Sequence, residues 1–193
     1  AKSKTARRLR KALPSAALLP LSSFVQSREV RSKESITGAD PAAFDKEKFE
    51  ECIRRLQRGE EISLPRYDHA AGRLLDENLS IPADRDILII EDTIGLTPEI
   101  RKFTDLTLCF VPESIPTWLE FSVIRDVHRR GYLPEEARRL NEQKQKDIEG
   151  LLTAHGTHVD MWIQTRHLPR NGDGLILYRA LAAPAMRVTD ARR

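Results

Sequence analysis

Clustered metal-ligand residues, long apolar runs and early acids are all missing from this 193-residue sequence. No stretch approaches the roughly 20 consecutive apolar residues that a membrane-spanning helix requires, so a soluble protein with no membrane partner is expected. The two cysteines, Cys52 and Cys109, stand far apart on segments that read as a helix and a buried strand. Lacking metal-ligand spacing, they are expected to be reduced core thiols, as in an intracellular protein. The five histidines are His69, His128, His155, His158 and His167, and only His155-x-x-His158 has a short spacing, with no third ligand beside it. They read as surface or loop residues. Trp118 and Trp162 lie in apolar segments and read as core residues in preference to base-stacking platforms. No internal repeat or low-complexity linker marks a boundary, and 40% hydrophobic with 32% charged residues suffices for one core. A single domain over residues 1–193 is the expectation.

The missing early acids expose a charge asymmetry beneath the net charge of +3. Lys2, Lys4, Arg7, Arg8, Arg10, Lys11 and Arg28 all precede the first acid, Glu29. Ala6, Leu9 and Leu13 share one face of the helix that this segment forms. Such a basic, acid-poor helix suits a mitochondrial presequence, an arm that binds RNA or a protein partner, or a plain solvated surface helix. An intracellular compartment is expected, cytoplasmic or, as the alternative, mitochondrial.

Strand and helix alternate along the chain. A helix is expected over residues 3–13, closed by Pro14, and a short buried strand over 17–21. Residues 25–40 are polar and aperiodic and read as a mobile loop. Asp40-Pro41 then opens a helix over 42–58, with Phe44, Phe49, Ile53 and Leu56 facing the core and Gly59 ending it. Residues 60–82 read as a hairpin or extended excursion. Continuous apolar strands over 86–90 and 106–111 are of the kind buried on both faces of a parallel sheet. Two charged helices, 116–130 and 134–153, precede a strand near 158–163 and an apolar segment over 175–181, within a C-terminal extension over 165–193.

Four segments carry chemistry in a fixed order. Asp40-Pro41-Ala42-Ala43-Phe44-Asp45 is followed by Pro65-Arg66-Tyr67-Asp68, then by the apolar strand ending Ile89-Ile90-Glu91-Asp92, and then by Arg125-Asp126 with Arg129-Arg130-Gly131. In this order they resemble the uridine kinase and phosphoribulokinase group of P-loop kinases, near nucleoside kinases of the uridine and nicotinamide riboside type, over about residues 1–165. The resemblance implies an α/β P-loop kinase-like fold, a parallel sheet with helices on both faces. It also implies ATP and Mg2+ as cofactors and a nucleoside or similar small hydroxyl compound as phosphate acceptor. Tyr67 and Asp68 then correspond to the substrate segment, and Arg125, Arg129 and Arg130 to the lid over the phosphates. Without the resemblance, Tyr67 and Asp68 are turn residues, and the arginines are a solvated helix face among Asp126, Glu135 and Glu136.

Two departures from the family pattern bear on activity. A phosphate loop uses Gly-x-x-x-x-Gly-Lys-[Ser/Thr], because glycine lets backbone N–H groups wrap phosphate while lysine and hydroxyl serve phosphate and magnesium. Here Ala1-Lys2-Ser3 aligns with Gly-Lys-Ser, which places Lys2 at phosphate and Ser3 at Mg2+, with the family's first strand absent from this sequence. The register Ser3-Lys4-Thr5 fits the helix spacing less well. Glu91, or its neighbour Asp92, falls near magnesium or substrate. Ser22-Ser23-Phe24 stands where the family has Asp-Ser-Phe, so Ser22 occupies the position of the catalytic base, a role serine cannot fill at neutral pH. An active kinase and a pseudokinase that keeps the fold as an interaction module are both compatible with these residues.

Overall fold

The computed structural model describes residues 2–168 and 175–181. They fall into two compact units, one over Lys2–Gly95 and one made of the described residues from Leu96 onward.

The first unit begins with α1 (Lys2–Ala12), and Pro14 follows it. This helix packs on β1 (Ala16–Pro20) and β4 (Ile87–Glu91), which pair in parallel with Pro20 opposite Glu91. Between them come α2 (Arg28–Lys33), α3 (Lys46–Gln57) and the hairpin of β2 (Ile62–Asp68) and β3 (Arg73–Ile81). Leu19, Leu21, Phe49, Ile62 and Leu64 are buried in its core. Phe24, Phe44 and Phe49 form a triangle with ring centroids 5.5 to 6.0 Å apart, the separation at which edge-to-face contacts add to burial.

Three expectations need correcting in this unit. Residues 25–40 are more ordered than a loop, because Ser27 accepts the Val30 N–H and nucleates α2, while Val25 bridges to Phe44. The helix foreseen over 42–58 starts at Lys46. Asp40 caps only a single turn at Pro41–Ala43, and Asp45, whose carboxylate accepts the Lys48 N–H, is the true N-cap. The strand ending at Glu91 is not covered on both faces, since Ile87 and Leu88 are exposed; a sheet only two strands wide offers too little surface to cover them.

The second unit holds the short helix α4 (Pro98–Arg101), then β5 (Leu108–Pro112) and β6 (Met161–Leu168) paired in parallel, with β7 (Leu175–Leu181) antiparallel to β6. Between β5 and β6, α5 (Ile115–Arg130) and α6 (Pro134–His155) pack as a helical hairpin. Ser114 caps α5, and Gly131 ends it at a φ of 70°, a left-handed conformation that glycine adopts without strain. Leu106, expected in a buried strand, precedes β5 and is 63% exposed. The architecture is α/β with parallel strand pairing, as expected. The described strands form three sheets, β1–β4 and β2–β3 in the first unit and β5–β6–β7 in the second. Among the described residues no helix is long and apolar enough to cross a membrane.

Candidate functional site

In open α/β sheets ligand chemistry gathers where parallel strands end. At the carboxyl end of the β1–β4 pair, β1 runs into the turn Leu21–Phe24, which carries Ser22, and β4 ends at Glu91. The first turn of α1 reaches the same end. Ser3 Oγ donates to Glu91 Oε1 at 2.9 Å, and Lys2 Nζ donates to Thr93 Oγ1 at 2.6 Å. Four predicted residues, Lys2, Ser3, Glu91 and Asp92, are therefore neighbours, although they come from opposite ends of the unit's sequence. Ala1 lies outside the described residues.

The electrostatics of this cluster are unbalanced. Burial pushes the Glu91 carboxyl above its ordinary range and Asp92 adds to the push, while the Ser3 hydrogen bond and the Lys2 charge offset only part of it. A carboxylate so placed gains from an added cation. The oxygen donors of Ser3, Glu91 and Asp92 fit the protein share of an Mg2+ site, because Mg2+ usually takes one or two carboxylates and completes its shell with water and phosphate. They do not form a self-sufficient cage: among the described residues no group of three His, Cys, Asp or Glu side chains converges. Lys2 keeps donors to spare, since an ammonium has three and Thr93 takes one.

The substrate candidates sit on the hairpin. Strict alternation from Ile62 and Leu64 would turn Arg66 inward, but a bulge between Pro65 and Tyr67 shifts the register. Tyr67 is consequently buried and Arg66 faces solvent, where it pairs with Glu77. The Tyr67 hydroxyl accepts from Arg31 Nη2 at 2.9 Å. Asp68 closes the hairpin turn, because its Oδ1 accepts the N–H groups of Ala70 and Ala71, and these two bonds hold its carboxyl below the usual range.

In the second unit the three predicted lid arginines differ from one another. Arg125 Nε donates to Asp126 Oδ1 at 2.6 Å, and Arg130 Nη1 lies 3.3 Å from the same oxygen. Asn141 Nδ2 donates to Asp126 Oδ2 at 3.0 Å. Arg129 is exposed. Burial alone would raise the Asp126 carboxyl, but the hydrogen bond and charge of Arg125, the charge of Arg130 and the Asn141 amide together hold it below its ordinary value. Two of the three lid cations are thus anchored on one buried carboxylate.

The family model described as the phosphoribulokinase / uridine kinase family matches residues 21–167. The chain belongs to that family. Within the phosphoribulokinase / uridine kinase family it is 27% identical over 157 residues to the chloroplastic phosphoribulokinase of Spinacia oleracea, covering 78% of this chain and 38% of that protein. It is 28% identical over 119 residues to uridine-cytidine kinase B of Dictyostelium discoideum, covering 60% and 48%. The chain spans less than half the length of these relatives. Among solved structures, phosphoribulokinase from Rhodobacter spheroides superposes with a TM-score of 0.62 at 14% identity, covering 98% of this chain and 78% of that one. A Bacillus stearothermophilus protein described as a possible uridine kinase gives 0.58 at 17%, covering 83% and 80%. These neighbours match the α/β fold of P-loop kinases.

Three residues escaped the sequence reading. Thr93, the partner of Lys2, lies 91 positions from it with no motif to mark it. Arg31 fell within a segment read as a loop. Asn141 sits on α6, fifteen positions from Asp126, and only the packing of the helical hairpin makes them partners. Of the histidines, His69, His128 and His158 are exposed and His155 is half-buried, while the His167 side chain lies outside the described set. Trp118 and Trp162 are half-buried. Cys52 is buried, Cys109 is partly so, and neither is in a disulfide.

Proposed function

We propose that this chain carries the phosphoryl-transfer site of an ATP-dependent kinase whose acceptor is a hydroxyl of a nucleoside or a similar small molecule. The observation that carries the reading is the convergence of Lys2, Ser3, Glu91 and Thr93 at the carboxyl end of the β1–β4 pair. ATP with Mg2+ supplies the phosphoryl group and the charge neutralisation that such transfers depend on. Lys2 faces the phosphates as a point charge, Ser3 and Glu91 offer oxygens to the metal with Asp92 beside them, and Tyr67 contacts the acceptor. Of the arginines that the family pattern assigns to the lid, Arg125 and Arg130 are held by Asp126 and Arg129 is exposed. Ser22 follows β1 where the family pattern places its aspartate base, so proton removal from the acceptor is the weak step.

A coupled ADP-release assay with uridine, cytidine and ribulose 5-phosphate tests this. Lys2→Ala should abolish turnover. Ser22→Asp should raise it by at least about tenfold, the lower part of what a positioned base contributes. No gain from Ser22→Asp in protein that binds nucleotide would remove Ser22 from the base position.

A second reading is a pseudokinase that acts as an interaction module, and two observations favour it. Ser22 cannot act as the base, and Lys4, Arg7, Arg8, Arg10 and Lys11 are all exposed along α1. A helix presenting that row of cations suits RNA phosphates, with affinity falling steeply as salt rises. Anisotropy titration with single-stranded RNA should then show binding at low salt that Arg7→Ala with Arg8→Ala weakens. No binding at low salt would eliminate RNA as the partner.

A further inference from the structure

Six residues make too short a helix to stand alone in water, and α2 has no buried residue. What ties it down is its two half-buried arginines: Arg28 Nη2 donates to the His69 carbonyl at 2.7 Å at the start of the helix, and Arg31 holds the next turn. Arg31 Nε donates to the Gln26 carbonyl at 3.1 Å, and Nη2 donates to the Tyr67 hydroxyl at 2.9 Å. The guanidinium is thereby stretched between the chain entering α2 and the phenol presented by the β2 bulge. Gly38 closes over it: a Cβ there would come within 3.1 Å of Arg31 Nη1. No carboxylate pairs with Arg31 among the described residues, so ion pairing does not account for its place.

The geometry points to Arg31 as the positioning residue that fixes the Tyr67 hydroxyl as a hydrogen-bond donor toward the phosphate acceptor. The chemistry follows from the donor inventory. A guanidinium has donors only, so the phenol oxygen must accept from it, and the phenol's one hydrogen is directed elsewhere. A phenol that accepts a charge-assisted bond is polarised and becomes a better donor. Nε and Nη2 hold two points at once, a fork that lysine cannot reproduce. The bulge sets the tyrosine ring and Arg31 sets the direction of its hydroxyl.

This inference rests on the reading of Tyr67 as an acceptor contact, and the test separates the two. Steady-state kinetics with uridine and with ribulose 5-phosphate would be compared for wild type, Tyr67→Phe, Arg31→Met, Arg31→Lys and the double variant Tyr67→Phe/Arg31→Met. Calorimetric titration of the same two probes serves where turnover is too slow. We expect Tyr67→Phe and Arg31→Met each to raise the acceptor KM or Kd by up to about tenfold, the range of one hydrogen bond, with kcat little changed. The double variant should be no worse than Tyr67→Phe, and Arg31→Lys should not restore wild-type values. Should Arg31→Met fail to fold, Gly38→Ala crowds the guanidinium without deleting it and should give a smaller loss that also disappears in the Tyr67→Phe background. Additive losses, or a wild-type Arg31→Lys, would overturn the proposal, as would an effect of Tyr67→Phe with none from Arg31→Met; in that last case the acceptor role of Tyr67 stands. If Tyr67→Phe is silent, or wild type holds neither probe, the acceptor reading itself falls and takes the proposal with it.

Discussion

Each unit withdraws one carboxylate from water, and the two end in opposite states. Asp126 in the second unit is surrounded by two guanidinium groups and an amide, and its acidity is strengthened. Glu91 in the first unit has one hydroxyl and a partly distant lysine charge to set against burial and a second acid, and its acidity is weakened. A carboxylate whose charge is fully answered holds helices together. One whose charge is only partly answered has room for a cation from outside, which is what a metal or substrate site needs. The family resemblance placed both regions in one catalytic apparatus, whereas the local electrostatics give them different roles.

The sharpest way to break the comparison is to delete each acid. Asp126→Ala should cost the protein about 3 kcal/mol, because two guanidinium groups and a buried amide lose their shared acceptor. A clear fall in the urea midpoint, followed through the helical signal of α5 and α6, would register it. A loss under about 0.5 kcal/mol would mean that the cluster is solvated and that Arg125 and Arg130 are not anchored there. Glu91→Gln should do the reverse, leaving stability unchanged or raising it by less than about 1 kcal/mol, since it removes a charge that the fold does not fully compensate.

The same contrast fixes two opposite pH dependences. The folded value of Asp126 lies below 3.8, so its contribution is complete above that pH and is lost as pH falls through the folded value. The folded value of Glu91 lies above 4.5, so its protonated form is favoured by folding, and that advantage, present below 4.5, is lost as pH rises through the folded value. Thermal melts from about pH 3 to about pH 7 should therefore show Asp126→Asn converging on wild type toward the acid end. The gain from Glu91→Gln should appear only toward neutral pH. Parallel profiles for the two variants would erase the distinction between the sites.

Much of the second unit was legible in the sequence. The helices foreseen over 116–130 and 134–153 appear as Ile115–Arg130 and Pro134–His155, because Pro116, Pro134 and Gly131 mark their ends and apolar spacing marks their faces. Residues 60–82 read as a hairpin or an extended excursion; the pairing of β2 with β3 makes them a hairpin, and its bulge was not legible. Pro65 hints at an irregularity, yet only the pairing with β3 shows that Tyr67 replaces Arg66 on the inner face. Residues 25–40 looked like a loop because α2 is short, without a buried residue and held by the polar side chains of Arg28 and Arg31, leaving no apolar period to read. At the site, Lys2, Ser3, Glu91 and Asp92 could be named from motif order. Their mutual contacts, the tie from Lys2 to Thr93 and the anchoring of Arg125 and Arg130 on Asp126 depend on tertiary packing that no local pattern encodes.

Everything proposed for catalysis depends on the cluster at the carboxyl end of β1 and β4 being a phosphate and metal site. Calorimetric titration of ATP, with and without Mg2+, into wild type and Lys2→Ala tests it directly. These 193 residues hold no glycine-rich backbone cradle, so the prediction is weak binding, with a Kd of about 0.1 mM or above. That binding should require Mg2+ and fall by about tenfold or more in Lys2→Ala, the loss of one charge-assisted contact or slightly more. No binding at all, or binding indifferent to both Mg2+ and Lys2, would contradict it.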